Sequence, residues 1–202
     1  YDLGSLMKNI ALGDIGLPDI QRPFVWKNAK VRDLFDSMYK GYPVGYFLFW
    51  QNALATDTHS IGTDAKQKAP KLVVVDGQQR LTSLYAVIRS VPVIRQNFES
   101  ERIQIAFNPL EEKFEVVDAA ILRDKAFLPD ISILWSDKTD IFEILDMYLE
   151  GLATSREVSD DDKKKIKKSI TGLQNLLDQD PRRVLHHPED WAPLPTEKRG
   201  FE

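Results

Sequence analysis

The chain contains no cysteine and no long apolar run, and each absence excludes a class of protein. Without cysteine, disulfide bonds, thiolate zinc sites and thiol nucleophiles are all excluded. This composition is typical of a reducing compartment, so we expect the protein to be cytoplasmic. No stretch approaches the roughly 20 consecutive apolar residues that a membrane-spanning helix needs. The first residues also lack the basic-then-apolar pattern of a signal peptide, and we expect no membrane partner.

The chain also lacks an excess of positive charge. Lysine and arginine number 27 against 31 aspartates and glutamates, which gives a formal net charge of -4 over 202 residues. No overall positive field therefore favours nucleic acid, although a local basic patch stays open. Hydrophobic residues make up 43% of the chain, enough for one substantial core. Because the chain starts at Tyr1 rather than methionine, we expect it to be a piece of a longer polypeptide.

The common fingerprints of nucleotide-binding and metal-binding proteins are absent as well. Neither G-x-x-x-x-G-K-[ST] nor G-x-G-x-x-G occurs anywhere in the sequence. The three histidines are His59, His186 and His187, and no further histidine or carboxylate stands near them at a spacing typical of metal ligands. They form no H-N-H arrangement either. The sequence therefore predicts no zinc site and no hydrolytic triad.

Hydrophobic periodicity predicts a mixed fold of helices and strands. Apolar residues recur at helical spacing in five segments. These follow candidate N-caps at Asp2, Asn28, Asp140 and Ser159, with one further helix after Arg80. The last helix is predicted to extend to about residue 179. Extended segments are predicted at 17–20, 44–50 and 72–75, with a hairpin formed by 103–107 and 113–117. The fold class is therefore α/β, of the mixed α+β kind.

Two further segments have an ordinary structural interpretation. Residues 44–50, VGYFLFW, are dense in aromatic side chains and predict a buried strand with Phe47, Phe49 and Trp50 in the core. The basic run Lys163–Lys168 follows three aspartates, so its charge is nearly cancelled locally. A solvated helix face is favoured there over contact with a phosphate backbone.

The segment 71–84, KLVVVDGQQRLTSL, is the strongest candidate for a functional site. An apolar strand runs into a glycine turn, and an amphipathic helix follows. Unpaired amides at the start of a helix and the helix dipole favour an anion. The ordinary alternative is a tight Asp-Gly turn with a salt-bridged arginine and solvated glutamines.

Each side chain of this turn has a predicted role. Gly77 permits a close backbone approach, and Arg80 offers a planar fork to phosphate oxygens. Gln78 or Gln79 could orient water, and Asp76 could hold Mg²⁺ or orient water. The predicted catalytic residues are Asp76, Gln78, Gln79 and Arg80; Thr82 and Ser83 offer hydroxyls in the first helical turn.

A second motif lies upstream, at Gln21 and Arg22. Pro23 biases Arg22 away from helix, and its guanidinium could face the same phosphates as Arg80. Trp26 or Phe24 could stack on a base, although a core position or a cation–π contact is favoured for Trp26. We predict that the two motifs face each other across one cleft.

Three segments together carry a resemblance to a known family. DGQQRLTSL at 76–84, LPDIQRPFVWK at 17–27 and GYPVGYFLFW at 41–50 resemble the motif set of the GmrSD-type restriction endonuclease N-terminal domain family. The resemblance implies a ParB/sulfiredoxin-like fold over residues 1–120. A helical extension would then cover 121–180, and a linker or truncated edge would cover 181–202.

The resemblance also implies a function. Such domains bind a nucleoside triphosphate through a G-x-x-R element, which Gly77–Arg80 satisfies. Family members act in restriction and anti-phage defence, with a nucleotide-hydrolysing domain joined to an HNH-type nuclease. We therefore expect an NTPase, with Mg²⁺ as a candidate ion and the nuclease in the same or a partner chain. The alternatives are a non-enzymatic nucleotide- or DNA-sensing module and a DNA-backbone binder. The base of the nucleotide and the oligomeric state are left open.

Overall fold

The computed structural model describes residues 2–18, 23–51, 58–60, 70–136 and 140–178. Within these ranges the chain forms a mixed α+β fold, as the periodicity predicts. The strands are β1 Ile15–Pro18, β2 Leu48–Gln51, β3 Thr58–Ser60, β4 Leu72–Asp76, β5 Val93–Ile94, β6 Ser100–Glu101, β7 Ile105–Asn108 and β8 Lys113–Val116. The helices are α1 Leu3–Ala11, α2 Asn28–Tyr39, α3 Gln78–Ile88, α4 Ile141–Ala153 and α5 Asp160–Gln174, and 3₁₀ turns cover Ile131–Trp135 and Asn175–Asp178.

The largest sheet has four strands in the order β2-β4-β1-β3. β4 pairs with β1 in parallel, with Ile15 opposite Leu72, and with β2 in antiparallel, with Phe49 opposite Val74. The predicted hairpin is confirmed as β7 and β8, which pair in antiparallel. The interior position of β4 explains why its apolar run is the strongest strand signal in the sequence.

One hydrophobic core joins elements from both ends of the chain. Fully buried side chains include Met7 of α1, Phe35 of α2, Leu84 of α3 and Ile170 of α5. The helices after residue 121 thus pack on the same core as the sheet. The division at residue 120 stays a prediction, and the predicted edge at 181–202 lies outside the described residues. No helix in the described part of the chain is long and apolar enough to cross a bilayer.

Most of the predicted helix starts are confirmed. The side chains of Asp2, Asp140 and Ser159 accept hydrogen bonds from the first turns of α1, α4 and α5. Asn28 is an exception, because Lys27 is the N-cap of α2 and Asn28 is its first residue. The Asn28 amide instead contacts Arg95 and Glu101, two residues far along the chain. The Asn28 side chain, which the local sequence pattern predicts to cap α2, therefore makes tertiary contacts instead.

The prediction of a buried strand at 44–50 is wrong. Only Leu48–Gln51 forms a strand, and Trp50 keeps 65% of its surface exposed. Phe47 and Phe49 are partly buried against the core. Within β2 only Phe49 is partly buried, while Leu48 and Trp50 on either side of it are exposed, as in a strand with one face toward the core. Aromatic density marked the strand but did not indicate its burial.

Candidate functional site

The turn between β4 and α3 has the geometry that the sequence predicts. Gly77 is the N-cap of α3 in the left-handed conformation, with φ of 89°. A Cβ at this position would lie 2.7 Å from Cδ1 of Phe47, so both the backbone angle and the space require glycine. Arg80 is the third residue of α3 and lies in its first turn, as predicted. Val73 and Val74 are buried as predicted, whereas Val75 is half exposed.

The start of α3 differs from the starts of α1, α4 and α5. Its N-cap is a glycine, and among the described residues no N-cap side chain hydrogen-bonds to its first turn. Amides of a first turn have no partner within their own helix, and the dipole adds positive potential there. The turn thus offers the electrostatic environment that phosphate oxygens favour.

The Arg80 side chain is less exposed than expected of a surface arginine that binds phosphate. Its side chain is 18% exposed, and its guanidinium donates to the carbonyl oxygens of Val44 and Tyr46, the latter at 2.8 Å. A longer contact of 3.4 Å joins it to Asp76, and its guanidinium carbon lies 5.5 Å from the centre of the Phe47 ring. Arg80 therefore anchors the aromatic segment that precedes β2 as well as lining the turn.

Gln79 joins the turn to the segment that follows the QR motif. Its side-chain oxygen accepts a hydrogen bond from the Val25 amide at 2.9 Å, and its side-chain nitrogen donates to the Pro23 carbonyl at 3.1 Å. One primary amide thus pairs with the backbone of an extended segment as a neighbouring strand would. Gln79 therefore fixes the upstream segment against the turn, and Gln78 lines the same cleft.

Asp76 is the exposed carboxylate of the turn. It ends β4 with 75% of its side chain exposed and contacts Arg80 at its edge. No group of three or more histidine or acidic side chains that could hold a metal lies within the described part of the chain. An Mg²⁺ ion at Asp76 would therefore take its other ligands from phosphate oxygens and water, as Mg²⁺ commonly does.

The two hydroxyls predicted in the first helical turn lie away from the ligand side of the turn. Ser83 is fully buried, and its Oγ donates to the carbonyl oxygen of Gln79 at 2.7 Å. Oγ1 of Thr82 is buried as well and has no hydrogen-bond partner. Because α3 begins at Gln78, positions 82 and 83 lie one turn further along the helix than Gln79, and neither lines the cleft. Spacing alone did not reveal that these hydroxyls are buried beyond the first turn.

These elements enclose an open cleft of about 530 Å³. The lining residues are Val25, Trp26, Val75, Asp76, Gly77, Gln78, Gln79 and Arg80. Of the two aromatic candidates, Trp26 lines the cleft, whereas Phe24 is only 6% exposed. Lys30 places its ammonium 4.3 Å from the centre of the Trp26 ring, which adds positive charge to this wall.

The other predicted residues fall into two groups. Gln21 and Arg22 lie outside the described residues, so their approach to the cleft stays a prediction. In the basic run of α5, Lys163 and Lys164 pair with Asp160 and Asp161, which agrees with a solvated helix face.

Sequence reasoning missed Arg95, whose side chain contacts the segment that follows the upstream motif. No local pattern around position 95 predicts this contact.

The family comparison agrees with this fold and turn. Residues 3–187 match the N-terminal domain of the GmrSD restriction endonuclease, and the chain belongs to this family. It is therefore a domain of the restriction and defence class. An uncharacterized protein of Methanocaldococcus jannaschii is 31% identical over 98 residues, a match that covers 44% of this chain and 17% of that protein. The chain thus spans a small part of the length of this relative.

Proposed function

We propose that this domain binds a nucleoside triphosphate in the cleft and hydrolyses it, within a modification-dependent restriction or anti-phage defence protein. The observation that carries the proposal is the shared cleft. The DGQQR turn forms one wall, the segment after the QR motif forms another, and Gln79 joins them. The turn and residues 23–26, which are distant in sequence, are thus neighbours at the start of α3.

The cleft suits a nucleotide in size and chemistry. Its volume of about 530 Å³ lies within the range of small-molecule sites. Phosphates would bind at the amides of Gly77–Gln79, near the positive charge of Arg80 and of the predicted partner Arg22. The indole of Trp26 would support the base, because aromatic faces stack on any nucleobase.

Hydrolysis would use the polar side chains of the turn. Gln78 would orient the attacking water, a role that glutamine fulfils in other nucleotide hydrolases. Asp76 would hold Mg²⁺ against the phosphate oxygens, which neutralises charge that builds up during phosphoryl transfer. An HNH-type nuclease domain, in the same or a partner chain, would then respond to the nucleotide state.

The test is a paired measurement of nucleotide affinity and phosphate release. We expect Asp76→Ala to retain much of the affinity and to lose turnover, since the carboxylate acts on the metal or water. Gln78→Ala should likewise lower turnover more than affinity. Asp161→Ala is a matched control, because Asp161 is an exposed aspartate of α5 and does not line the cleft. Wild-type turnover in Asp76→Ala would contradict the proposed role of that residue.

Two alternatives have separate outcomes in the same experiments. Binding without phosphate release would support a non-enzymatic switch that senses nucleotide and regulates a partner nuclease. Binding of DNA that weakens steeply with salt, together with no nucleotide binding, would support a DNA-backbone binder.

A further inference from the structure

The wall of the cleft opposite the DGQQR turn is held from two sides. Residues 23–28 run from the QR motif to the first residue of α2, and Gln79 binds this segment at Pro23 and Val25. Successive residues of an extended chain present their polar groups to opposite sides. The even-numbered positions therefore need a different partner, and Arg95 provides it.

Arg95 contacts three positions of this segment. One terminal nitrogen of its guanidinium donates to the Trp26 carbonyl, and the other donates to Oδ1 of Asn28 at 2.6 Å. The guanidinium carbon lies 4.9 Å from the centre of the Phe24 ring, and the backbones of Phe24 and Arg95 form an isolated parallel bridge. Arg95 itself does not line the cleft.

Glu101 completes this cluster. Its carboxylate accepts from Nε of Arg95 at 2.6 Å and from the Asn28 amide at 2.6 Å, so Arg95, Glu101 and Asn28 form a closed set of contacts. The Arg95 side chain is only 16% exposed. A planar guanidinium that is hydrogen-bonded at three nitrogens has little conformational freedom, and it therefore restricts the positions of the groups it binds.

We infer that Arg95 is a positioning residue for the nucleotide site: it fixes the backbone at Trp26 and thereby the indole that forms the cleft wall. The inference rests on the proposed function. Without the Arg95 guanidinium the wall would keep the contacts of Gln79 and the packing of Phe24, but the Trp26 carbonyl and the Asn28 amide would lose their charged partner, and Trp26 would be less firmly positioned. A bound nucleotide would then have to order the wall itself, which weakens binding.

The test compares nucleotide affinity in the wild-type chain, Arg95→Ala and Arg102→Ala. Each of the four nucleoside triphosphates is titrated, and thermal unfolding is followed in parallel. Arg102 is a matched control because it also pairs with a carboxylate, that of Asp130, and does not line the cleft. We expect Arg95→Ala to weaken affinity by about tenfold or more, because small misplacements of a binding wall have large effects. Arg102→Ala should change it by less than about twofold, as for an exposed ion pair.

Added guanidinium ion separates positioning from general stability. At millimolar concentrations it should restore part of the affinity of Arg95→Ala and leave that of Arg102→Ala unchanged, whereas it can only weaken a merely destabilised fold. If Arg95→Ala does not fold, Asn28→Ala removes one partner of the cluster and should show a smaller loss in the same direction. If the wild type binds nucleotide and the folded variants bind it with the same affinity, the inference about Arg95 is overturned while the proposed function stands. A wild-type chain that binds none of the four nucleotides would overturn the proposed function, and the inference with it.

Discussion

At the scale of single residues, the site depends on side chains that have two functions. Arg80 lines the turn that we assign to phosphates, and it also holds the carbonyl groups at 44 and 46. An arginine that only binds phosphate predicts that Arg80→Ala abolishes binding and leaves the fold intact. The contacts of the guanidinium instead predict a loss of order before β2 as well, so Arg80→Ala alone does not separate binding from folding.

Gly45 provides a sharper test of the Arg80 anchor. Gly45 has φ of 85°, and a Cβ there would clash with Nη1 of Arg80. Gly41 has φ of 74° with nothing within 4 Å of its Cβ position, so Gly41→Ala reports the backbone strain alone. That strain costs about 1 to 2 kcal/mol. Gly45→Ala should lower the free energy of unfolding by at least about 1 kcal/mol more than Gly41→Ala does, because the displaced Arg80 loses hydrogen bonds to the Val44 and Tyr46 carbonyls. If denaturant titrations give equal losses of unfolding free energy for Gly45→Ala and Gly41→Ala, Arg80 does not anchor the segment before β2.

Glu101 makes the Arg95 cluster sensitive to acid. The Arg95 guanidinium and the Asn28 amide both donate to this carboxylate and hold its pKa below the ordinary 4.5. A lowered pKa in the folded state gives stability above the unfolded pKa, and that stability is lost as pH falls through the folded value. The free energy of unfolding of the wild type should therefore fall below about pH 4.5 more steeply than that of Glu101→Gln. Glu157→Gln, a change at an exposed loop position, should follow the wild type.

At the scale of elements, local sequence signals predict whether a segment is a helix or a strand well, and they predict poorly how deeply its side chains are buried. The starts of α1 and α5 follow from an aspartate and a serine whose side chains satisfy amides nearby in sequence, and such effects are visible in a short window. The apolar run of β4 marks an interior strand in the same way. Burial depends on which elements pack against each face of a strand, which no window contains, and the prediction at 44–50 is wrong for that reason.

The edge position of β2 has a measurable consequence. Trp50 is 65% exposed and Phe35 is fully buried, although both are large aromatic residues. Phe35→Ala should cost about 3 to 5 kcal/mol of unfolding free energy, because it leaves a cavity in the core. Trp50→Ala should cost less than about 1 kcal/mol. Comparable losses in urea titrations of the two variants would place Trp50 in the core and contradict the edge assignment.

At the scale of the whole molecule, the cleft depends on contacts between distant parts of the chain. The turn at Asp76–Arg80 could be predicted from sequence because strand, glycine and helix are consecutive. Its neighbour at Val25–Trp26 could be proposed only through the family resemblance, and the Gln79 and Arg95 contacts that fix it could not be proposed at all. Single side chains that bind backbone over long separations leave no periodic signal. Family membership, the shared cleft and the glycine N-cap of α3 support one account of the molecule.

The most direct test of that account is a crystal structure of the chain with Mg²⁺ and a non-hydrolysable nucleoside triphosphate. We predict phosphate oxygens within hydrogen-bonding distance of the amides at Gly77–Gln79, the base against Trp26, and Asp76 on the side of the metal. Arg22 should reach the same phosphates. A nucleotide bound elsewhere on the chain, or one whose phosphates point away from the start of α3, would contradict the account.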